Sequence, residues 1–154
     1  MKLIDAVTCV GPIIPKILVP KLEIKANYPL NEREASLFSK ALNALLKQFE
    51  EENINISNLM RLTALVTEDG DFTLSINPEH MGSQIALVVY PVKRWRDNSY
   101  NDGQILICII EELCHHYWAI EDEILVTYKV HEVMKQIYPD VQHNQLYNLQ
   151  SCEG

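Results

Sequence analysis

The chain has 154 residues, 47% of them apolar and 22% charged, which is enough apolar material for one domain with its own core and too much for a disordered chain. Its net charge of −8, from 13 basic and 21 acidic residues, argues against a broad nucleic-acid-binding surface, which needs a positive field. No apolar run approaches the roughly 20 residues of a membrane helix, and Asp5 with three prolines interrupts the N-terminal apolar stretch, so the composition predicts a cytoplasmic protein with no membrane partner.

Residues 1–28 are strand-like and punctuated by proline. Within them "KILVPKLEIKA" predicts one edge strand, because Pro20 is tolerated at an edge but not in a central ladder. Residues 30–53 predict a helix. Asn31 and Glu34 have the spacing of a capping box, and Leu37, Phe38, Ala41, Leu42, Leu45, Leu46 and Phe49 recur as one helical stripe. Residues 57–77 predict a β-hairpin: Met60, Leu62, Ala64 and Val66 alternate with polar residues, Phe72, Leu74 and Ile76 do the same, and Asp69-Gly70 lies between them. After "HMGS", the run "QIALVVYPV" (84–92) reads as a strand covered on both faces, or one whose free edge is used. "VKRWRD" (92–97) reads as a solvated loop with one aromatic anchor.

Asn101 and Gln104 mark another helix start, and the helix runs through "QILICIIEELCHHYW". A further helix spans 122–138 and stops before Pro139, after which 140–154 is a polar, loosely held tail. The four cysteines, Cys9, Cys108, Cys114 and Cys152, form no C-x-x-C pair, and they read as free thiols buried by default rather than as a zinc ribbon or a disulfide framework. The order of elements predicts a single α+β domain over 1–154, with a small, mostly antiparallel sheet and helices packed on one face.

The chemistry concentrates in 105–118. At about 100° per residue, Ile105, Leu106, Ile109, Ile110, Leu113 and Tyr117 form an apolar sector, while Cys108, Glu111, Glu112 and His115 gather opposite. Glu111 and His115 are one turn apart and therefore neighbours. In an H-E-x-x-H helix this spacing holds zinc between the two histidines, and the intervening glutamate acts as general base. Here the pattern is E-E-x-x-H, with Glu111 and His115 as candidate ligands and Glu112 in the base position. A carboxylate can ligate zinc, but its charge makes the metal a weaker activator of water. The third donor would come from the next helix, where Glu123 shares a face with Val126, Val130, Val133, Met134 and Ile137, or, as second choice, from His131.

The stretch 57–138, and "IIEELCHHYW" within it, resembles the zincin-like metallopeptidases. The resemblance implies a zincin-like fold, a single zinc, Glu112 as base, His115 as ligand and a peptide or protein partner laid along an edge strand, here "QIALVVYPV". The departure is Glu111 in place of the first histidine. Two readings follow: a zincin-like protein with weak or no peptidase activity, or a non-catalytic protein-binding or regulatory module whose E-E-x-x-H stripe is a solvated helix face. Glu112-x-x-His115 also matches half of a di-iron bundle site, but the second motif and the four long helices are absent from the sequence.

Overall fold

The computed structural model of the chain describes residues 1–80, 82 and 84–147. Its strands are β1 (Lys2–Leu3), β2 (Leu22–Ala26), β3 (Leu62–Thr67), β4 (Leu74–Ser75) and β5 (Leu87–Pro91). Its helices are α1 (Glu32–Glu51), α2 (Val92–Asp97), α3 (Asp102–Tyr117), α4 (Glu123–Met134) and α5 (His143–Leu146). The fold is α+β, as composition and order predict.

The sheet differs from expectation. β2, β3 and β5 form a three-stranded sheet in that order, and both pairings are parallel, with Ile24 opposite Ala64 and Val66 opposite Tyr90. The only antiparallel pairing among the described residues joins β1 to β4. The expected hairpin over 57–77 is therefore wrong. The turn is present, since Gly70 has φ of +104° and donates its N–H to Thr67 Oγ1 at 2.8 Å, but the chain leaves it toward β1 instead of returning along β3. The physical reason lies in β3. All six of its residues are buried, Thr63, Leu65 and Thr67 included, so both faces of this central strand are covered. A strand buried on both faces suits a parallel arrangement, whose strands need long crossovers; α1 supplies the one between β2 and β3.

The capping box of α1 forms as predicted, Asn31 and Glu34 each accepting from the other's backbone N–H. Ala41, Leu42, Leu45 and Phe49 are completely buried, each larger side chain contributing on the order of 1.5–3 kcal/mol. They join Leu22, Leu62, Ala64, Val66, Val88 and Tyr90 of the sheet and the inner faces of α3 and α4 in one core. The helices thus pack on one face of the sheet.

"VKRWRD" is a helix, α2, rather than a solvated loop. Val92 and Trp95, one turn apart, are buried, and the indole lies 6.0 Å from the Phe38 ring and 6.1 Å from the Tyr90 ring. Arg96 is exposed, but its guanidinium is tied back to the fold. It grips the buried Glu34 carboxylate through Nε at 2.9 Å and Nη2 at 2.6 Å, a two-pronged pairing that satisfies an otherwise costly buried charge.

α4 ends at Met134, and the backbone then continues in tighter turns to Tyr138. The segment expected as a loose tail folds as far as it is described: α5 forms, and Val141, Leu146 and Tyr147 pack against the core. Cys152 and the rest of that segment lie outside the described residues, as do positions 81 and 83 of "HMGS". Cys114 is buried, whereas Cys9 and Cys108 are half-buried, and all three are free. Among the described residues, no helix is long and apolar enough to cross a membrane.

Candidate metal centre

α3 starts from the predicted box, with Asn101 and Gln104 accepting from each other's backbone N–H. Its apolar sector is the predicted one: Ile105, Leu106, Ile109, Ile110, Leu113 and Tyr117 are all buried. Tyr90 of β5 pins this face by donating its hydroxyl to the Ile109 carbonyl at 2.8 Å. The opposite face is therefore left outward, carrying Glu111 and His115 half-buried and Glu112 exposed.

At the end of α3 the chain reverses within a few residues. Trp118 caps the helix, Ala119 takes a left-handed φ of +51°, and Asp122 restarts the chain by accepting from the N–H groups of Ile124 and Leu125, each at 2.8 Å. This short return brings the first residue of α4, Glu123, back over the last turn of α3. Its Oε2 lies 3.5 Å from His115 Nε2. Glu111, His115 and Glu123 each offer one donor atom, and these atoms all lie within 4.8 Å of one another.

Glu123 reaches this position differently from the expectation. Its side chain is 78% exposed rather than set on a buried face. Ile124 and Leu125 beside it are 70% and 61% exposed, so the first turn of α4 projects from the core and packing begins only at Val126. His131, the second choice, is not drawn in; its Nε2 bonds the Val141 carbonyl at 2.8 Å. Glu112, in the base position, lies outside the three-donor group.

Two side chains of the group are held by outside partners. His115 Nδ1 bonds the Ile120 carbonyl, which can only accept, so Nδ1 carries a proton. In the neutral ring the free lone pair is then on Nε2, facing Glu123. The Tyr147 hydroxyl donates to Glu111 Oε2 at 3.3 Å. Tyr147 was not legible as a site residue: it lies in a polar stretch with no periodicity, and nothing local marks it.

The electrostatics follow from crowding. Burial raises the Glu111 carboxyl above its ordinary range, and the charges of Glu123 and Glu112 add to the effect. At His115 burial opposes the charged form, but the Ile120 carbonyl and the carboxylates of Glu123, Glu112 and Glu111 outweigh it and raise the imidazole. Burial, then Glu111 and Glu112, push the Cys108 thiol up to about 11, which leaves it a protonated neighbour rather than a thiolate donor.

One imidazole nitrogen and two carboxylate oxygens are donors that a divalent cation accepts. Donors about 2.0–2.2 Å from one tetrahedral ion lie about 3.3–3.6 Å apart, so a group spread over up to 4.8 Å has to close in to hold it. Glu123, exposed and at the start of its helix, is the side chain free to do so. The second nitrogen of His115 on a backbone carbonyl is the outer-shell arrangement that metal-binding histidines use. The residues present could therefore hold a metal ion through three protein donors.

Comparison with protein-family models, with curated proteins and with solved structures finds no match.

Proposed function

We propose that this chain is a zinc-binding module, zincin-like in its E-E-x-x-H helix, with weak or no peptidase activity. The observation that carries this reading is the convergence of Glu111, His115 and Glu123 from two helices, with the His115 ring already oriented by Ile120. Zinc is favoured over magnesium or calcium because an imidazole is one of the three donors.

Zinc bound there would supply Lewis acidity, and the two carboxylate donors would neutralise its charge and blunt that acidity. Glu111 and His115 would supply the helical pair of donors, and Glu123 would close the site from α4. Glu112 would keep the general-base position of the pattern, outside the ligand group and on the exposed side of α3. With its Lewis acidity blunted by two carboxylate donors, the site serves binding better than hydrolysis. β5 is an edge strand of the three-stranded sheet, the kind of element to which a peptide or protein partner could add a strand.

The test is metal analysis of the purified full chain before chelation, after it, and after zinc is returned, together with cleavage of an unstructured peptide by the zinc-loaded form. The expected result is about one zinc per chain, lost on chelation and regained, with no cleavage. A chain that neither retains nor regains metal would overturn the proposal, and efficient cleavage would overturn its non-catalytic half.

A further inference from the structure

We infer that Tyr147 is a positioning residue of the metal site, holding Glu111 in its donor orientation and making the C-terminal turn part of that site; this rests on the zinc reading above. Glu111 is half-buried on the outward face of α3, and among the described residues Tyr147 is the side chain that hydrogen-bonds its carboxylate. The Tyr147 hydroxyl constrains it through its bond to Oε2 at 3.3 Å. A donor committed to one oxygen leaves the other oxygen for the metal and favours ligation through a single atom.

The phenol is itself anchored. Tyr147 is half-buried and packs against the core, and its ring lies 5.3 Å from that of His143. The His143 ring stacks on Tyr128 at 4.4 Å with an interplanar angle of 10°. Its Nε2 lies 2.8 Å from Thr127 Oγ1, whose own proton goes to the Ile124 carbonyl at 2.6 Å, so the imidazole is the donor there. A chain of contacts thus runs from the outer face of α4, through His143 and Tyr147, to the carboxylate on α3. Side chains that hydrogen-bond a metal ligand from outside set its orientation and basicity, and losing one commonly lowers metal affinity by about 10–100-fold.

The probe is cobalt(II) chloride, titrated into the chelator-treated full chain and followed by its visible ligand-field absorption. Tyr147→Phe keeps the ring and its stacking and deletes only the hydroxyl. The variant is expected to bind cobalt at least about 10-fold more weakly and to show a changed band shape, because an unrestrained Glu111 alters the coordination. The metal-free variant should melt within a few degrees of the parent, which separates this effect from loss of fold. Equal affinity and identical bands in parent and variant would overturn the role of Tyr147 and leave the metal site standing. No cobalt binding by the parent would overturn both.

Discussion

His115 has one ring nitrogen occupied and the other available. Nδ1 is spent on the Ile120 carbonyl, and Nε2 faces Glu123 at 3.5 Å. In metal-free protein, Glu123 is one of the charges that raise the imidazole, acting with Ile120 against burial. Glu123→Ala is therefore expected to lower the His115 pKa, read from its ring proton shifts during an NMR pH titration; an unchanged value would mean that the two groups do not interact in solution. A histidine with a raised folded pKa contributes stability that is fully present below its unfolded value of about 6.5 and is lost as pH rises through the folded value. Because Glu123 is largely exposed and screened, that contribution should stay under about 1 kcal/mol. At this scale the sequence was informative where spacing alone decides contact: Glu111 and His115 meet because they are one turn apart. Glu123 was found by its helical phase, although the phase implied a buried face and the residue is exposed. Tyr147 could not be found, since its contact with Glu111 spans 36 residues and depends on how a short C-terminal turn folds back.

Among the elements, α3 is the one the site depends on, and its placement rests on the apolar sector. Leu113 is 2% exposed, so Leu113→Ala is expected to destabilise the chain by about 2–5 kcal/mol in chemical unfolding; a loss below about 1 kcal/mol would mean that this face is not packed. The end of α3 is tied to its neighbours through Glu52, just past α1, which accepts from Trp118 Nε1 at 3.1 Å and from Lys129 Nζ at 3.1 Å. Burial alone would raise the Glu52 carboxyl, but bonds from Gln48, Lys129 and Trp118 bring it below the ordinary value of 4.5. A depressed carboxyl contributes stability above its unfolded pKa and loses it as pH falls through the folded one. Glu52→Gln should therefore cost up to about 1 kcal/mol at neutral pH, and the gap between the two urea midpoints should close in acid; a gap that persists there would assign the effect to packing. Helix boundaries were legible because caps are local: Asn31 with Glu34 and Asn101 with Gln104 form the boxes their spacing implies. α2 was not, because what makes it a helix is distant. Trp95 meets Phe38, and Arg96 meets Glu34, each more than 50 residues away in sequence.

For the whole molecule, the class was legible and the sheet was not. Alternation between 60 and 76 identifies two extended segments, and Asp69-Gly70 identifies a turn, but neither says which strand each segment joins. β3 pairs with strands on both sides whose nearest residues lie well away in sequence, and the decisive fact, burial of Thr63 and Thr67 along with Leu65, is a property of the assembled fold. The parallel sheet sets the backs of α1, α3 and α4 against one face, and this packing leaves the outward side of α3 beside the start of α4, where the three donors meet. The most direct test of that meeting is a calorimetric zinc titration of three full chains: the parent, Glu123→Ala and Glu111→His. If Glu111, His115 and Glu123 hold one ion, the parent binds zinc, Glu123→Ala binds it at least about 10-fold more weakly, and Glu111→His, which restores the second histidine on the same helix face, binds it more tightly. Equal, negligible heats for the parent and Glu111→His would contradict the account and leave the outward stripe of α3 as a solvated helix face.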